Sequence, residues 1–388
     1  MWELTFPRTV VTGEGALEYL REVEGKRALI ITDKVIRKLN FAEKVANYLN
    51  QAGLEVKVFD EVEPEPSVET VVKGAKFAGK YGPDWLIGLG GGSCMDAAKA
   101  MWIIYANPEI EVGEINPFAK FELRKKARLI CIPTTSGTGA DVTWAAMITD
   151  VKEERKMELP SREMVADIVI IDPEFPKSMP PPLVADSGLD ALTHAIEAYV
   201  SQWRNDFSDA LAIKAIQIIL KYLPRAHESS GDNEAKEKMH NAATMAGMAF
   251  SNSQVGIAHA LAHSLGAIFR VPHGRIVGLF LPYSIEYSVG EAMERYGDIA
   301  RAIGIEARTD EEAVEKLIRD IKELYREVRQ PTSIRELGIN RDDFEKRLED
   351  LVTRAANSSC TFMNPRVPDV EDTRKLFLYA FEGKKIDF

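Results

Sequence analysis

The chain has only three cysteines in 388 residues, Cys94, Cys131 and Cys360, and they are scattered without the C-x-x-C spacing of a thiolate zinc site. A disulfide framework is thereby excluded, and a reducing, cytoplasmic setting is expected. No uninterrupted apolar run reaches the roughly 18 residues that a membrane-spanning helix needs. The first residues, Met-Trp-Glu-Leu-Thr-Phe-Pro-Arg, show no charged stretch followed by an apolar one. No membrane partner is expected. A basic excess is missing too: 49 Lys and Arg stand against 60 Asp and Glu, a net charge of -11, with both signs interspersed. Such a field offers nothing to a nucleic acid. Glutamine is scarce, at five residues, while Glu, Lys and Arg abound, a balance that leans toward a heat-adapted source.

What is present is unevenly placed. Of six histidines, three (His259, His263 and His273) fall within fifteen residues, and Asp190-Ala-Leu-Thr-His194 supplies a carboxylate and an imidazole upstream. Residues four apart stack on one helix face, so Asp190 with His194 and His259 with His263 can each point into a common cavity. A lone histidine usually sits satisfied in a core or at the surface, but five candidate ligands in two clusters favour a metal site. Borderline-soft nitrogen donors with one carboxylate suit a divalent first-row transition metal rather than calcium or magnesium. Spacing alone does not choose among the three later histidines.

A chain of 388 residues is long for one core, and two domains are expected, over 1–180 and 181–388. In the first, short β-branched runs at 28–32, 55–59, 85–89, 128–132 and 167–171 alternate with helical patterns at 41–51 and 68–81. The alternation predicts an α/β domain with a Rossmann-like, mainly parallel sheet, whose ligands bind outside the carboxyl ends of the strands. From Pro180-Pro181-Pro182 onward strand signals nearly vanish, predicting an all-helical second domain beyond a proline boundary. Thr309 opens a capping-box sequence ahead of an apolar stripe from Val314 to Val328, a structural helix. Residues 226–236 read as a surface loop between helices.

Two loops at strand ends carry the marks of nucleotide binding. The run at 85–89 leads through Gly90-Gly91-Gly92-Ser93 into a helix near Asp96, where glycines admit a pyrophosphate and a helix start favours its charge. A glycine-rich turn alone is as readily a tight turn. The next run, however, ends in Thr134-Thr135-Ser136-Gly137-Thr138, with hydroxyls suited to ribose and amide groups. Asp33 closes the first run, where a carboxylate accepts from an adenosine ribose and repels a 2′-phosphate, an argument for NAD over NADP. Lys34, Arg37 and Lys38 nearby are the counterweight.

Four segments together resemble, in order and spacing, the iron-containing (group III) alcohol dehydrogenases. They are Gly-Leu-Gly-Gly-Gly-Ser-Cys-Met-Asp-Ala-Ala-Lys (88–99), Pro-Thr-Thr-Ser-Gly-Thr-Gly (133–139), Ser-Gly-Leu-Asp-Ala-Leu-Thr-His-Ala-Ile-Glu-Ala-Tyr (187–199) and the histidine segment (259–273). The resemblance implies a dehydroquinate synthase-like architecture and a homodimer or larger homo-oligomer. It implies Fe2+, or Zn2+ or another divalent transition metal, held by Asp190, His194, His259 and His273, with His263 as a non-ligand catalytic histidine. Cofactor contacts map to Asp33, Gly91, Gly92, Ser93, Asp96, Thr134, Thr135, Thr138, Thr143 and Lys156, and the substrate pocket to Phe250 and Cys360. The implied activity is reversible hydride transfer between a primary alcohol or aldehyde and NAD(P), the metal acting as a Lewis acid on the alcohol oxygen. Departures are Ala140-Asp141, where the family often has Ser-Glu, and Trp144, whose bulk would narrow the pocket beside the nicotinamide loop. Two other readings are a glycerol, diol or hydroxy-acid dehydrogenase of the same superfamily and a catalytically idle dinucleotide and metal sensor.

Overall fold

The structure, a computed structural model, describes residues 3–153 and 155–388. The chain divides into two compact units, the first ending at Ser178 and the second spanning Met179–Phe388.

In chain order the first unit contains β1 (Thr9–Thr12), β2 (Arg27–Ile31), α1 (Lys34–Lys38), α2 (Phe41–Gln51), β3 (Glu55–Phe59), α3 (Val68–Tyr81), β4 (Trp85–Gly90) and α4 (Gly92–Ala106). β5 (Arg128–Pro133), β6 (Ala145–Asp150), β7 (Arg155–Pro160) and β8 (Ile168–Ile171) complete it. Six strands pair in parallel in the order β1-β8-β5-β4-β2-β3, while β6 and β7 form a separate antiparallel hairpin. β4 is buried at every residue, as a central parallel strand covered on both faces must be, which is why it reads as an unbroken apolar run. α2 buries Ala42, Val45 and Leu49, its three- and four-residue stripe. Gly90 lies opposite Pro133 and Ile31 opposite Gly88, so β2, β4 and β5 release the chain at one edge of the sheet. Strand order reverses between β2 and β4, the crevice where such sheets take ligands.

The five runs read from sequence are β2, β3, β4, β5 and β8, and both expected helices of this unit form. β1 and the β6–β7 hairpin are additions. β1 is a four-residue edge strand with alternating burial, too short to stand out by periodicity.

The second unit is helical among its described residues: α5 (Pro181–Val200), α6 (Asp206–Glu228), α7 (Asn233–Ser251), α8 (Ile257–Phe269), α9 (His273–Ala302), α10 (Asp310–Glu327), α11 (Arg341–Ala356), α12 (Ser359–Met363) and α13 (Val370–Glu382). The prolines do more than break the chain: Pro181 and Pro182 form the first turn of α5, where a missing N–H has no intrahelical partner to lose. The loop expected over 226–236 shrinks to 229–232. Asp232 caps α7 by accepting from Ala235 N–H, and Arg225 at the end of α6 pairs with Asp232 and Glu234, so helix continues on both sides. Thr309 caps α10 by accepting from Glu312 N–H, and the stripe Val314, Leu317 and Ile321 is buried. No helix among the described residues is long and apolar enough to cross a membrane.

Candidate metal centre and dinucleotide cradle

Asp190 and His194 stand one turn apart on α5, both buried. Asp190 Oδ1 is the hub: it lies 3.6 Å from His259 Nε2, 3.6 Å from His273 Nε2 and 3.9 Å from His194 Nε2. These separations are too long for hydrogen bonds, and Asp190 Oδ1 and His259 Nε2 are buried without a hydrogen-bond partner. Donors that share one cation at about 2.0–2.1 Å in a tetrahedron lie roughly 3.4 Å apart. One carboxylate and three imidazoles at 3.6–3.9 Å therefore fit a divalent transition metal in both chemistry and spacing. Asp190, His259 and His273 form the tightest group, with ligand atoms within 4.8 Å of one another, and His194 flanks it with its ring stacked on His259 at 4.5 Å.

Local sequence explains the convergence. His259 sits in the first turn of α8, whose N-cap Gly256 has no side chain to offer. Acceptors from elsewhere replace it: Glu197 accepts from Gly256 N–H at 2.9 Å and Ala258 N–H at 2.7 Å, and Asn364 accepts from Ile257 N–H at 3.2 Å. A Cβ at residue 256 would meet both acceptors, so glycine is needed there. Arg270 closes α8 in the left-handed region (φ 54), and Pro272 then turns the chain so that His273 opens α9. The next residue, Gly274, lies against the Asp186 carbonyl and Asp190 Cβ, and Gly278 against Leu189 Cβ; this glycine pair lets α9 approach α5 closely enough for His273 to reach Asp190.

Electrostatics favour a cation. Burial alone would raise the Asp190 carboxyl, but His194, His273 and His259 hold it well below the usual carboxylate range. Burial opposes charge on His259, yet Glu197 and Asp190 carry that imidazole up to about 9 in the metal-free site. A metal must displace this proton, so Zn2+ affinity is expected to tighten about tenfold per pH unit above neutrality and to level off near 9. Stability of the metal-free protein runs the other way. The His259 proton stabilises fully below its unfolded value of about 6.5, and that contribution is lost as pH rises through about 9. Thermal melts with and without Zn2+ across this range check both trends, and parallel trends would contradict His259 as a ligand.

Around this cluster stand the other expected residues of the second unit. His263, partly exposed one turn beyond His259, stacks on His273 at 5.2 Å and meets His259 edge-on at 6.0 Å. Phe250 lies flat on His194 at 4.2 Å. Cys360 is buried in α12 within the apolar cluster that also holds Leu261 and Leu265 of α8. Glu197 was not singled out from the sequence, although it lies three residues after His194 and seven after Asp190, on the same face of α5.

In the first unit the two candidate loops touch. Gly90 adopts φ +147, and a Cβ there would collide with Cys94, so only glycine makes this turn. Gly91 is an N-cap without a side-chain acceptor, leaving the start of α4 open to an anion. Positions where Cβ atoms of Gly91 and Gly92 would stand lie 3.6 Å from Thr135 and 3.1 Å from Thr138. The Thr134 amide donates to the Gly90 carbonyl at 2.9 Å, joining the loops directly. Asp33 caps α1 by accepting from Ile36 N–H at 2.8 Å, and its second oxygen accepts from the Cys94 thiol at 3.4 Å. Burial and the adjacent Asp33 push that thiol well up, keeping it a donor. Ser93 accepts from Glu65 N–H, and Glu65 pairs with Lys156. Asp96 accepts from Met147 N–H at 3.2 Å, and burial pushes its carboxyl up to about 6 against the pull of Lys99. Thr143 is buried, its hydroxyl accepting from Lys99 Nζ at 2.8 Å; Lys99 was also missed from sequence as a site-forming residue. Trp144 lies under Arg162, whose guanidinium carbon is 5.5 Å from the ring centre.

Comparison with known proteins agrees along the chain. Residues 7–173 match the family model described as iron-containing alcohol dehydrogenase, and residues 184–381 match the C-terminal model of the Fe-containing alcohol dehydrogenase family. The NADPH-dependent butanol dehydrogenase of Clostridium saccharobutylicum is 43% identical over 390 residues, covering 100% of both chains. Aldehyde-alcohol dehydrogenase 2 of Entamoeba histolytica is 37% identical over 392 residues, a match to 94% of this chain but 45% of that protein. The solved iron-containing alcohol dehydrogenase of Thermococcus thioreducens superposes with a TM-score of 0.90 at 34% identity, over 99% of this chain and 100% of that one. The chain belongs to the iron-containing alcohol dehydrogenase family.

Proposed function

We propose that the protein interconverts primary alcohols and aldehydes with NAD(P), using a divalent metal held by Asp190, His194, His259 and His273. The observation that carries this reading is the convergence of three imidazole Nε2 atoms on Asp190 Oδ1 at 3.6–3.9 Å, with that oxygen and His259 Nε2 buried and unpartnered. Iron is the family's metal, and the same donors accept zinc or another divalent transition ion. When bound, the metal supplies Lewis acidity toward the alcohol oxygen and the nicotinamide supplies the carbon that takes the hydride.

The chain's own residues do the rest. Phe250, flat on His194, and the buried Cys360 supply apolar surface that excludes water from the reacting carbon. His263 is near the ligand rings yet partly exposed, the position from which a ring nitrogen passes the hydroxyl proton to solvent. Gly91, Gly92 and the open start of α4 take the pyrophosphate, with Ser93, Asp96, Thr134, Thr135 and Thr138 around it. Thr143 and Lys156 act through Lys99 and Glu65, which they hold. Trp144 limits the bulk of the substrate. A homodimer or larger assembly in the cytoplasm completes this reading, the latter supported by three buried cysteines that form no disulfide among the described residues.

Iron-reconstituted protein under anaerobic conditions is expected to consume NADH with short-chain aldehydes and to form it with the matching alcohols. No turnover with any member of the panel would favour a sensor. Asp33 bears on the choice of dinucleotide: its fixed carboxylate at the end of β2 opposes a 2′-phosphate, so NAD should be preferred. Asp33→Ser keeps a cap for Ile36 N–H while removing the charge. The ratio of kcat/KM for NAD over NADP is expected to fall by about tenfold or more in that variant, a loss of about 1.4 kcal/mol of discrimination. An unchanged ratio would remove Asp33 from cofactor selection.

A further inference from the structure

The role of Glu197 goes beyond capping a helix. Its carboxylate is 2% exposed, and no lysine or arginine pairs with it among the described residues. What compensates it is a set of donors: Gly256 N–H to Oε2 at 2.9 Å, Ala258 N–H to Oε1 at 2.7 Å, and His259 Nδ1 at 2.5 Å from Oε2. The Ser284 hydroxyl stands 3.5 Å from Oε1. Two of these partners are backbone amides that can only donate, so the side chain at 197 must accept at both oxygens. A carboxylate is the acceptor-only group that satisfies both and still meets Nδ1 with negative charge. This holds a ring hydrogen on Nδ1 and leaves Nε2, which faces Asp190 Oδ1, as the nitrogen open to a metal.

We infer that Glu197 is a positioning residue for the metal centre, fixing the tautomer and orientation of His259 so that Nε2 is the ligating atom. The inference rests on the metal-binding reading above. One carboxylate does two things at once: it seats the first turn of α8, and it turns the imidazole carried on that turn toward Asp190. Outer-sphere carboxylates of this kind raise ligand basicity and hold the ring, and their loss weakens metal binding by about 10–100-fold.

Glu197→Gln separates this role from helix capping. A carboxamide has one acceptor and one donor end, so its NH2 meets either Ala258 N–H at the Oε1 position or both Gly256 N–H and Nδ1 at the Oε2 position. In the second arrangement the ring hydrogen moves to Nε2 and blocks ligation; in the first, Nδ1 keeps an acceptor but loses the anion that raises the basicity of Nε2. Asn364→Ala is the control, because Asn364 caps the same turn through Ile257 N–H without touching His259. Zn2+ binding to the metal-free proteins, measured above pH 9 by competition with a chromophoric chelator so that the His259 proton does not compete, and metal-free melting temperatures are read together. Glu197→Gln is expected to bind Zn2+ about 10–100-fold more weakly than wild type, whereas Asn364→Ala lowers the melting temperature with affinity within about threefold. Equal affinities in wild type and Glu197→Gln, or equal losses in both variants, would reduce Glu197 to a cap and overturn the inference. Should Glu197→Gln fail to fold, Glu197→Asp carries the test, since it stays an acceptor but withdraws by one methylene. About tenfold weaker Zn2+ binding is then expected, and wild-type affinity would overturn the inference. Wild-type protein that binds no Zn2+ would refute the metal reading itself, a distinct outcome.

Discussion

Asp190→Asn is expected to leave the protein folded but unable to retain iron, with alcohol oxidation reduced by about a thousandfold or more. The substitution is nearly isosteric, so packing around residue 190 on α5 is preserved. What changes is charge: the Asp190 carboxylate faces three imidazoles, each of whose Nε2 atoms lies within 4 Å of its Oδ1. An amide oxygen is a weaker donor, and its NH2 end would repel a cation if turned inward. Lewis acidity contributes several kcal/mol to a reaction of this kind, and each 1.36 kcal/mol is tenfold in rate. Metal analysis after anaerobic reconstitution, paired with turnover, checks the result. Stoichiometric iron in Asp190→Asn would remove this carboxylate from the ligand set.

The second large effect is expected from a residue with no metal-binding side chain of its own. Gly274→Ala adds one methyl group, yet it would overlap the Asp186 carbonyl, whose carbon lies 2.8 Å from the new Cβ position, with Asp190 Cβ at 3.3 Å. The obstacle is backbone, so no rotamer change relieves it. The first turn of α9 must move off α5, and His273, the residue before Gly274, moves with it away from Asp190 Oδ1. Overpacking of this kind costs about 1–3 kcal/mol, and ligands displaced beyond about 0.5 Å lose productive geometry. Metal affinity is expected to fall by about a hundredfold, with a lower metal-free melting temperature. Gly278→Ala, one turn further on, meets Leu189 Cβ at 3.0 Å and should cost less. Wild-type metal affinity in Gly274→Ala would show that the helix approach does not set the site.

Much of this was legible because the periodicities are strong. β4 and β5 are unbroken apolar runs because the sheet is covered on both faces, and α2 and α3 carry clear stripes. The hairpin was not legible: β6, Ala-Ala-Met-Ile-Thr-Asp, and β7, Arg-Lys-Met-Glu-Leu-Pro, have weak strand propensity and are held by pairing with each other. The loop over 226–236 was overdrawn because polar residues that sequence reads as coil act here as a helix cap and ion pairs. At the site, i, i+4 spacing shows which residues share a face of α5 or α8. That His273 comes back to Asp190 instead depends on the Arg270–Pro272 turn and on two glycines, features of packing rather than of period. Glu197 was on the Asp190 and His194 stripe throughout, but nothing in sequence showed that Gly256 leaves α8 uncapped and in need of it.

Anomalous scattering from crystals of the iron-reconstituted protein, recorded on both sides of the iron absorption edge, locates the metal. One peak is expected, bonded by Asp190, His194 Nε2, His259 Nε2 and His273 Nε2 at about 2.0–2.2 Å, with His263 outside bonding distance. A fully occupied iron located elsewhere, or those four side chains pointing away from any shared centre, would contradict this ligand set.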